Sequence, residues 1–380
     1  MSRIDEPIAD GAPGARYVDL SEVAEYSPTR VDAADLDRKN FVGVDNLLPN
    51  KRGRLDATYP PNTARLTAYE PGDILLGNIR PYLKKVWLAT NSGGCSGDVL
   101  AVRVRRQHRE LLDPTFLYYL LSSDRFFAYN MQKSKGAKMP RGDKAAIMSY
   151  RIPVPTIEAQ RKIVRILDQF TQLEVELEAE LKMRRRQFEH YRGALILERD
   201  RAETALLGDI ATIGTGSHDT QDAQDDGRFI FYARGREPLK LDTFDFEEDA
   251  IITAGDGVGV GRVFHFARGK YALHQRAYRI VPHARVDARF IYHYLLADFS
   301  RYLERTSVHA SVTSLRRPMF LHYPVALPSL DEQRCIVATL DKFDALVNDP
   351  SVGLPAELAA RRRQYEYYRD KLLTFEEAPA

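Results

Sequence analysis

One stretch decides the fold of this chain: PTIEAQRKIVRILDQF at residues 155–170, which returns 173 residues later as PSLDEQRCIVATLDKF at residues 328–343. Extended by three residues, the two copies are identical at nine of nineteen positions. A second match pairs RRRQFEHYR at 184–192 with RRRQYEYYR at 361–369. Its offset is 177, so the second copy carries four extra residues around 348–353. The chain is therefore an internal repeat in which each copy follows a region of lower mutual similarity.

Both copies predict long helices. Each follows a proline, with Thr156 or Ser329 as the N-cap and an acidic residue two positions later. Mostly apolar residues then recur at steps of three and four, the pattern of a coiled-coil seam. The positions are Ile163, Leu167, Phe170, Leu173, Leu177, Leu181, Arg184, Phe188 and Tyr191 in the first copy. In the second copy they are Ile336, Leu340, Phe343 and Leu346, and after an interruption by Pro350, Gly353 and Pro355 the stripe resumes at Leu358, Tyr365, Tyr368 and Leu372.

Each apolar stripe needs a partner, and the other copy is the obvious one. A helix of about 40 residues is ~60 Å long. Two such helices running antiparallel would form a rigid spacer between the regions that precede them. The alternative is that both helices pack into one compact core.

The regions outside the helices predict mixed α/β globular domains. Buried strands are expected at 74–76, 99–102, 229–232 and 279–281, and helical runs at 116–121 and 290–296. The fold class is thus α/β (mixed): two globular domains separated by a long antiparallel two-helix coiled coil, with a pseudo-twofold internal repeat. The expected boundaries are a flexible leader at 1–16, a first globular domain at 17–154, a first helix at 155–203, a second globular domain at 204–327, a second helix at 328–375 interrupted near 348–355, and a tail at 376–380.

Composition excludes several classes of protein. The chain has 380 residues and is 44% hydrophobic, with 38 aromatic residues counted as 20 Tyr, 17 Phe and one Trp, which argues against disorder. No run approaches the ~18 apolar residues of a membrane span, and the start lacks a secretory pattern. Two cysteines make neither a disulfide framework nor a four-cysteine zinc site. We expect a cytoplasmic protein without membrane contact.

The charge is distributed unevenly although 55 Lys and Arg nearly balance 53 Asp and Glu. Residues 71–154 carry fourteen basic and six acidic side chains, and residues 255–320 carry eleven and four. Acidic segments precede both blocks, at 1–45 and 215–250. Two separate basic blocks favour two local contacts with an anionic partner, the alternative being ordinary domains with unevenly solvated faces.

Catalytic motifs are missing from the sequence. The glycine-rich run Gly255–Arg262 has neither dinucleotide-binding nor P-loop spacing, and it reads equally as a close backbone approach to a partner or as a tight hairpin. No histidine pair or cysteine has metal-ligand spacing. We therefore predict no catalytic residue, no metal and no enzyme activity for the chain alone.

Nucleic-acid recognition is the chemistry that the basic blocks offer. Arginine can bind guanine through two hydrogen bonds, asparagine can bind adenine, and lysine neutralises phosphate. Such residues cluster in loops at matching places of the two regions, although any single one could equally be a solvated or structural group. The candidates for DNA binding are Asn78, Arg80, Tyr82, Lys84, Lys85, Lys138, Arg141 and Lys144 in the first region, and Arg234, Arg236, Arg262, His274, Arg276, Ser314, Arg316 and Arg317 in the second.

The sequence closely resembles the specificity (S) subunit of type I restriction–modification systems. The resemblance rests on residues 72–85, 138–144, 152–170, 328–343 and 353–375, ending in RQYEYYRDKLLTF. It implies that each globular domain is a target recognition domain that reads one half of a bipartite double-stranded DNA target. It also implies that the helices set the spacer and dock two modification subunits, which methylate adenine.

The same resemblance implies the cofactors and further partners. S-adenosylmethionine and ATP are expected on partner subunits, with no cofactor on this chain, and ATP-dependent restriction subunits are expected to join. Exposed aromatic residues of the helices are the candidates for partner binding: Phe188, Tyr191, Tyr365 and Tyr368. Two other classes remain open at this point, a self-contained DNA nuclease and a coiled-coil interaction protein without sequence-specific DNA binding.

Overall fold

The computed structural model describes residues 14–197, 203–257, 259–306 and 314–378. The chain divides into two units: unit 1 comprises Met1–Glu176 and Ala360–Ala380, and unit 2 comprises Leu177–Ala359. Most of the expected leader and the end of the expected tail lie outside the described residues.

Unit 1 is a mixed α/β unit. Its strands are β1 (Arg16–Asp19), β2 (Ala24–Tyr26), β3 (Arg30–Asp32), β4 (Phe41–Val42), β5 (Arg65–Tyr69), β6 (Ile74–Gly77), β7 (Val86–Leu88), β8 (Gly93–Cys95), β9 (Val99–Val104) and β10 (Arg151–Val154). Its helices are α1 (Leu20–Val23), α2 (Pro114–Leu121), α3 (Asp124–Lys133), α4 (Lys144–Met148) and the first half of α5 (Ile157–Leu197).

Unit 2 repeats this content. Its strands are β11 (Glu203–Leu206), β12 (Ala211–Thr215), β13 (Phe229–Tyr232), β14 (Leu239–Leu241), β15 (Phe246–Glu247), β16 (Ala250–Ala254), β17 (Phe264–Ala267), β18 (Lys270–Leu273), β19 (Ala277–Pro282) and β20 (Pro324–Leu327). Its helices are α6 (Leu207–Ile210), α7 (Ala288–Tyr294) with a π-helical extension (Leu295–Phe299), α8 (Ser300–Thr306), α9 (Arg317–Leu321), α10 (Leu330–Asn348) and the start of α11 (Gly353–Leu372).

The sheet topologies show the internal repeat directly. A fully antiparallel sheet has the order β2-β9-β6-β7 in unit 1 and β12-β19-β16-β17 in unit 2, so the same strands in sequence are neighbours in both. A two-stranded pair, β1-β10 or β11-β20, precedes the long helix in each. The second four-stranded sheets differ, because their one parallel pair is β4-β8 in unit 1 and β13-β18 in unit 2. The predicted mixed fold is confirmed.

Each unit has its own core beneath the antiparallel sheet. In unit 1 the helix α2 buries Phe116 and Leu117 completely against strands of that sheet. In unit 2 the equivalent helix α7 buries Phe290 and Ile291 in the same way. Burying one such side chain contributes roughly 1.5–3 kcal/mol. Because each unit has a separate core, the alternative of one compact core is wrong.

The helices pair antiparallel within each unit. In unit 1 the ring of Phe170 stacks on Tyr368, with ring centroids 5.8 Å apart, while Glu174, one turn later, meets Arg362 at 2.6 Å. Residue numbers of the contacting pairs thus increase along α5 while they decrease along α11, so the two helices run antiparallel. In unit 2 the Arg185 side chain donates to the Val347 carbonyl at 3.1 Å. Six residues on, Tyr191 stacks on Phe343. The predicted antiparallel pairing is confirmed within both units.

The second helix breaks where the sequence has its extra residues. α10 ends at Asn348 and α11 begins at Gly353, which has a φ of +69°. A Cβ at this position would lie 2.4 Å from the Leu346 carbonyl oxygen, so only glycine fits.

Two buried glutamines join the long helices to the globular regions. Gln160, fully buried, donates to the carbonyls of Leu111 and Pro155, both at 2.8 Å, and accepts from the Asp113 backbone at 2.9 Å. Asp113 in turn caps α2. Gln333 makes the same kind of joint in unit 2: it donates to the Pro328 carbonyl and accepts from Asp287, the cap of α7, both at 2.9 Å.

Candidate nucleic-acid interface

In unit 1, three chain segments meet at one end of the antiparallel sheet. They are the loop after β6, the residue before β9 and the loop before α4. The backbone of Asn78 donates to Asp98 at 2.8 Å, and that of Gly142 donates to Asn78 at 3.0 Å. An isolated bridge joins Ile79 to Arg141. We call this meeting point the unit 1 junction.

Unit 2 builds the same junction from the equivalent segments. The backbone of Gly255 donates to Arg276 at 2.8 Å, and that of Leu315 donates to Gly255 at 2.7 Å. An isolated bridge joins Asp256 to Ser314. The glycine-rich run lies between the antiparallel strands β16 and β17, so it is a hairpin connection. Its Val258 lies outside the described residues.

The two junctions carry different side chains on the same backbone arrangement. In unit 1 the Arg141 Nε lies 3.1 Å from Asp98. In unit 2 the acid comes from another segment: Asp256 pairs with Arg234 at 2.9 Å and with Arg276 at 3.2 Å. Hydrogen bonds from Arg234 and Arg276 lower the pKa of Asp256 below its ordinary value, so it stays ionised at neutral pH. The two junctions therefore share their backbone arrangement but carry different charged side chains.

The loop that leaves the unit 1 junction has a constrained backbone. Arg80 and Lys84 flank a short 3-10 turn with φ values of +53° and +50°. They face Asn50 and Lys51, with φ values of +56° and +63°. These are the only non-glycine residues with positive φ in the described parts of the chain. Such conformations cost ~1–3 kcal/mol each and cluster at functional sites. Backbone hydrogen bonds between 50–51 and 83–84, both 2.9 Å, hold the two loops together.

Most predicted DNA-binding residues are exposed at or beside the junctions. Arg80 is joined to the loop before α4 by a 2.7 Å hydrogen bond from its backbone to Pro140, and its side chain is exposed. Tyr82 is 50% exposed although aromatic. The other exposed candidates are Lys138, Arg141 and Lys144 in unit 1, and Arg234, Arg236, Arg262, Arg276, Ser314, Arg316 and Arg317 in unit 2.

Three predicted base or phosphate contacts are instead buried or bonded within the protein. Asn78 is only 6% exposed and His274 only 1%, so neither side chain is accessible to a base. Burial lowers the pKa of His274, whose Nδ1 accepts from the Arg276 backbone at 2.9 Å. The Lys85 ammonium donates to the Val44 carbonyl at 2.7 Å. The sequence predicted these three residues as DNA contacts from their residue type alone. It could not show which other segments of the chain cover them in the fold.

Lys84 belongs to an ion cluster that the sequence did not reveal. Its ammonium lies 2.6 Å from Asp124, which also binds Lys51 at 2.9 Å and Arg369 at 2.9 Å. Burial raises the pKa of Asp124, but hydrogen bonds from Lys84 and Lys51 outweigh it and lower the pKa overall. Burial also lowers the pKa of Lys51, as does the charge of Arg369.

The candidate partner-binding aromatic residues differ in exposure. Phe188 is only 3% exposed and packs in the unit 2 core, so its assignment to a partner surface is corrected: the ring is buried within the unit. Tyr191 is 45% exposed. Tyr365 and Tyr368 are half-buried against Phe170.

Within the parts of the chain that the structure describes, no group of three or more His, Cys, Asp or Glu is placed to hold a metal ion. Nor does any described helix have the length and apolarity needed to cross a membrane.

The family model for the type I restriction modification DNA specificity domain matches residues 69–184 and 200–360. The chain belongs to this family. A specificity subunit of this family, that of the Escherichia coli type I restriction enzyme EcoR124I/EcoR124II, is 30% identical over 257 residues. The alignment covers 59% of this chain and 63% of that relative, so it spans less than two thirds of the relative's length.

Solved structures of specificity-domain proteins share the fold. A chain from a study of complex assembly and conformational transition of the type I R-M system matches with a TM-score of 0.67 at 20% identity, covering 95% of this chain and 98% of that chain. The type I S subunit of M. genitalium matches with a TM-score of 0.54 at 14% identity, covering 95% and 97%. The chain is thus a member of the type I restriction modification DNA specificity family, whose model matches two stretches of it.

Proposed function

We propose that the chain recognises a bipartite DNA sequence, with each junction reading one half. The observation that carries this proposal is the same three-segment junction built twice from one chain, with unlike charged residues on it. Equivalent backbone hydrogen bonds hold the two junctions together, while different side chains allow two unrelated half-sites to be read. Phosphate contacts position a protein on DNA, and contacts to base edges specify the sequence.

The helices complete the proposed function as spacer and docking surface. Antiparallel pairing in both units supports a rigid element that fixes the number of unread base pairs between the halves. Tyr191, Tyr365 and Tyr368 are our candidates for docking two modification subunits, which bind S-adenosylmethionine and methylate adenine. ATP-dependent restriction subunits then join the complex. The chain itself binds no cofactor in this proposal and acts in the cytoplasm.

Binding experiments on the full chain together with its methyltransferase subunit test this proposal. Affinity for the target duplex should fall with salt, with a slope of about −0.9 per phosphate neutralised. The variant Arg234→Ala should relax discrimination at one half-site and leave the other unchanged. Equal loss on every duplex would make Arg234 a phosphate contact. If no variant at either junction affects one half-site selectively, the assignment of one half to each junction is wrong.

A further inference from the structure

The Asp124 cluster lies directly behind the constrained loop of unit 1. Lys51 and Lys84 both bind Asp124 Oδ1, while the Arg369 Nη2 binds Oδ2. Two of these three partners, Lys51 and Lys84, are themselves positive-φ residues of the two adjoining loops. A single carboxylate therefore anchors both strained loops to the first turn of α3.

The anchored loop carries Arg80 and Tyr82, two exposed candidates for reading bases. Arg80 begins the turn that Lys84 ends, and the Leu83 backbone donates to Arg80 at 2.9 Å while that of Lys84 donates to Pro81 at 2.9 Å. Holding Lys84 thus fixes the far end of the turn from which Arg80 and Tyr82 project. A reading side chain must be held to within a fraction of an ångström to discriminate bases.

The Asp124 carboxylate also neutralises part of the positive charge of Lys51 and Lys84. The side chains of Lys84 and Asp124 are 37% and 41% exposed, so the cluster is within reach of a DNA backbone passing over the loop. Free lysines at such a place would bind phosphate irrespective of sequence, because phosphate neutralisation dominates non-specific affinity. Asp124 neutralises part of this charge, whereas the positive charge of Arg80 has no such partner among the described residues.

We propose that Asp124 is a positioning residue that raises sequence discrimination. It fixes the loop that bears Arg80, and it pairs with Lys51 and Lys84 so that these lysines do not bind DNA phosphates irrespective of sequence. Asp124 does not itself contact a base. The inference rests on the proposed function, since it concerns how the unit 1 junction discriminates between sequences.

The test compares wild type with Asp124→Asn in the full chain bound to its methyltransferase subunit. Dissociation constants are measured over a salt series for three duplexes: the target, the target with one half scrambled, and a fully scrambled duplex. Asp124→Asn should bind the scrambled duplex more tightly than wild type and lose about tenfold in discrimination at one half-site, within the range typical of a base-reading residue. Its salt slope on scrambled DNA should steepen by roughly one to two, because Lys84, whose side chain is 37% exposed, and to a smaller extent Lys51, at 18%, become free to neutralise phosphate.

A folding defect would give a different pattern, since affinity for all three duplexes would fall together. Adding Lys51→Met and Lys84→Met to Asp124→Asn should return scrambled-duplex affinity to the wild-type level. Asp32→Asn is the matched control, because Asp32 forms an exposed pair with Arg65 at 3.1 Å in the same unit and should change nothing. Unchanged discrimination in Asp124→Asn, or parallel weakening on all duplexes, overturns the inference. Wild type that does not prefer its target overturns the proposed function itself.

Discussion

The glutamine joints give the most quantitative prediction for the fold. Replacing Gln160 by methionine keeps the length and most of the volume of the side chain but removes its amide. The Asp113 N–H and the carbonyls of Leu111 and Pro155 then lose their partner in a site that is fully buried. At about 1 kcal/mol net per hydrogen bond, the expected loss in the free energy of unfolding is about 3 kcal/mol.

A single tryptophan makes this loss measurable for unit 1 alone. Trp87 is the only tryptophan in the chain, and it lies in β7 against Tyr69 and beneath Arg54. Its fluorescence during urea unfolding therefore reports on unit 1. With a denaturant slope of about 2 kcal/mol per molar, Gln160→Met should lower the midpoint of the Trp87 transition by about 1.5 M.

The repeat supplies its own controls for this experiment. Gln333→Met removes the equivalent joint in unit 2 and should leave the Trp87 midpoint unchanged while destabilising the remaining structure. Gln169→Met changes an exposed glutamine of the same helix and should have little effect. A shift of the Trp87 midpoint by less than about 0.3 M in Gln160→Met, or an equal shift in Gln333→Met, would refute this role of Gln160 in unit 1.

Three further predictions follow from the junctions and joints. Arg80→Ala should cost ~1–3 kcal/mol at one half-site only, measured by competition between duplexes altered in either half, and equal loss on all duplexes would show a phosphate contact instead. Gly142→Ala should destabilise unit 1 by about 1–3 kcal/mol, because its Cβ would lie 2.5 Å from the Asn130 Oδ1 and 2.8 Å from the Asn78 Oδ1, both buried. The Trp87 midpoint measures this, with Gly97→Ala, whose Cβ meets nothing within 4 Å, as a control that should not shift. Burial lowers the pKa of His293 despite its hydrogen bond to Asp341, so the unfolded state binds more protons below about pH 6.5 and unit 2 should lose stability as the pH falls from 7.5 to 5.5. The protection factors of the α7 amides, which correct for the change of the intrinsic exchange rate with pH, should decrease accordingly in wild type but not in His293→Tyr. An equal decrease in both would contradict the assignment to His293.

Much of the architecture could be predicted because local sequence patterns determine where the helices and strands lie. The repeat, the apolar stripes and the prolines and glycine near 348–355 place the helices and the break, and strands such as β6 and β9 are short apolar runs. Polar identities within the repeat were equally visible. Gln160 matches Gln333, and Asp168, which accepts from the Tyr119 hydroxyl at 2.6 Å, matches Asp341, which binds His293. These identities could have predicted the contacts between the long helices and the globular regions. A polar residue that is the same in both copies and lies on an apolar helix face needs a hydrogen-bond partner.

The recognition site could be predicted only in outline. The basic and amide residues of the sequence identified which loops are candidates for DNA binding. The junctions, however, depend on backbone hydrogen bonds between segments far apart in sequence, such as those of Asn78 with Asp98 and Gly142. That pairing decides that Asn78 is buried. Nor does any local pattern indicate that Asp124 absorbs the charge of Lys84.

Mapping methylated adenines by single-molecule sequencing tests the central claim most directly. The host expresses the chain, the methyltransferase subunit of its system, or both. We predict a split sequence motif with a fixed gap that appears only when both are present. Changes at Arg80 should then alter one half of that motif, and changes at Arg234 the other half. A continuous motif, or a split motif in which changes at both residues alter the same half, would contradict the proposal that each junction reads one half of a bipartite target.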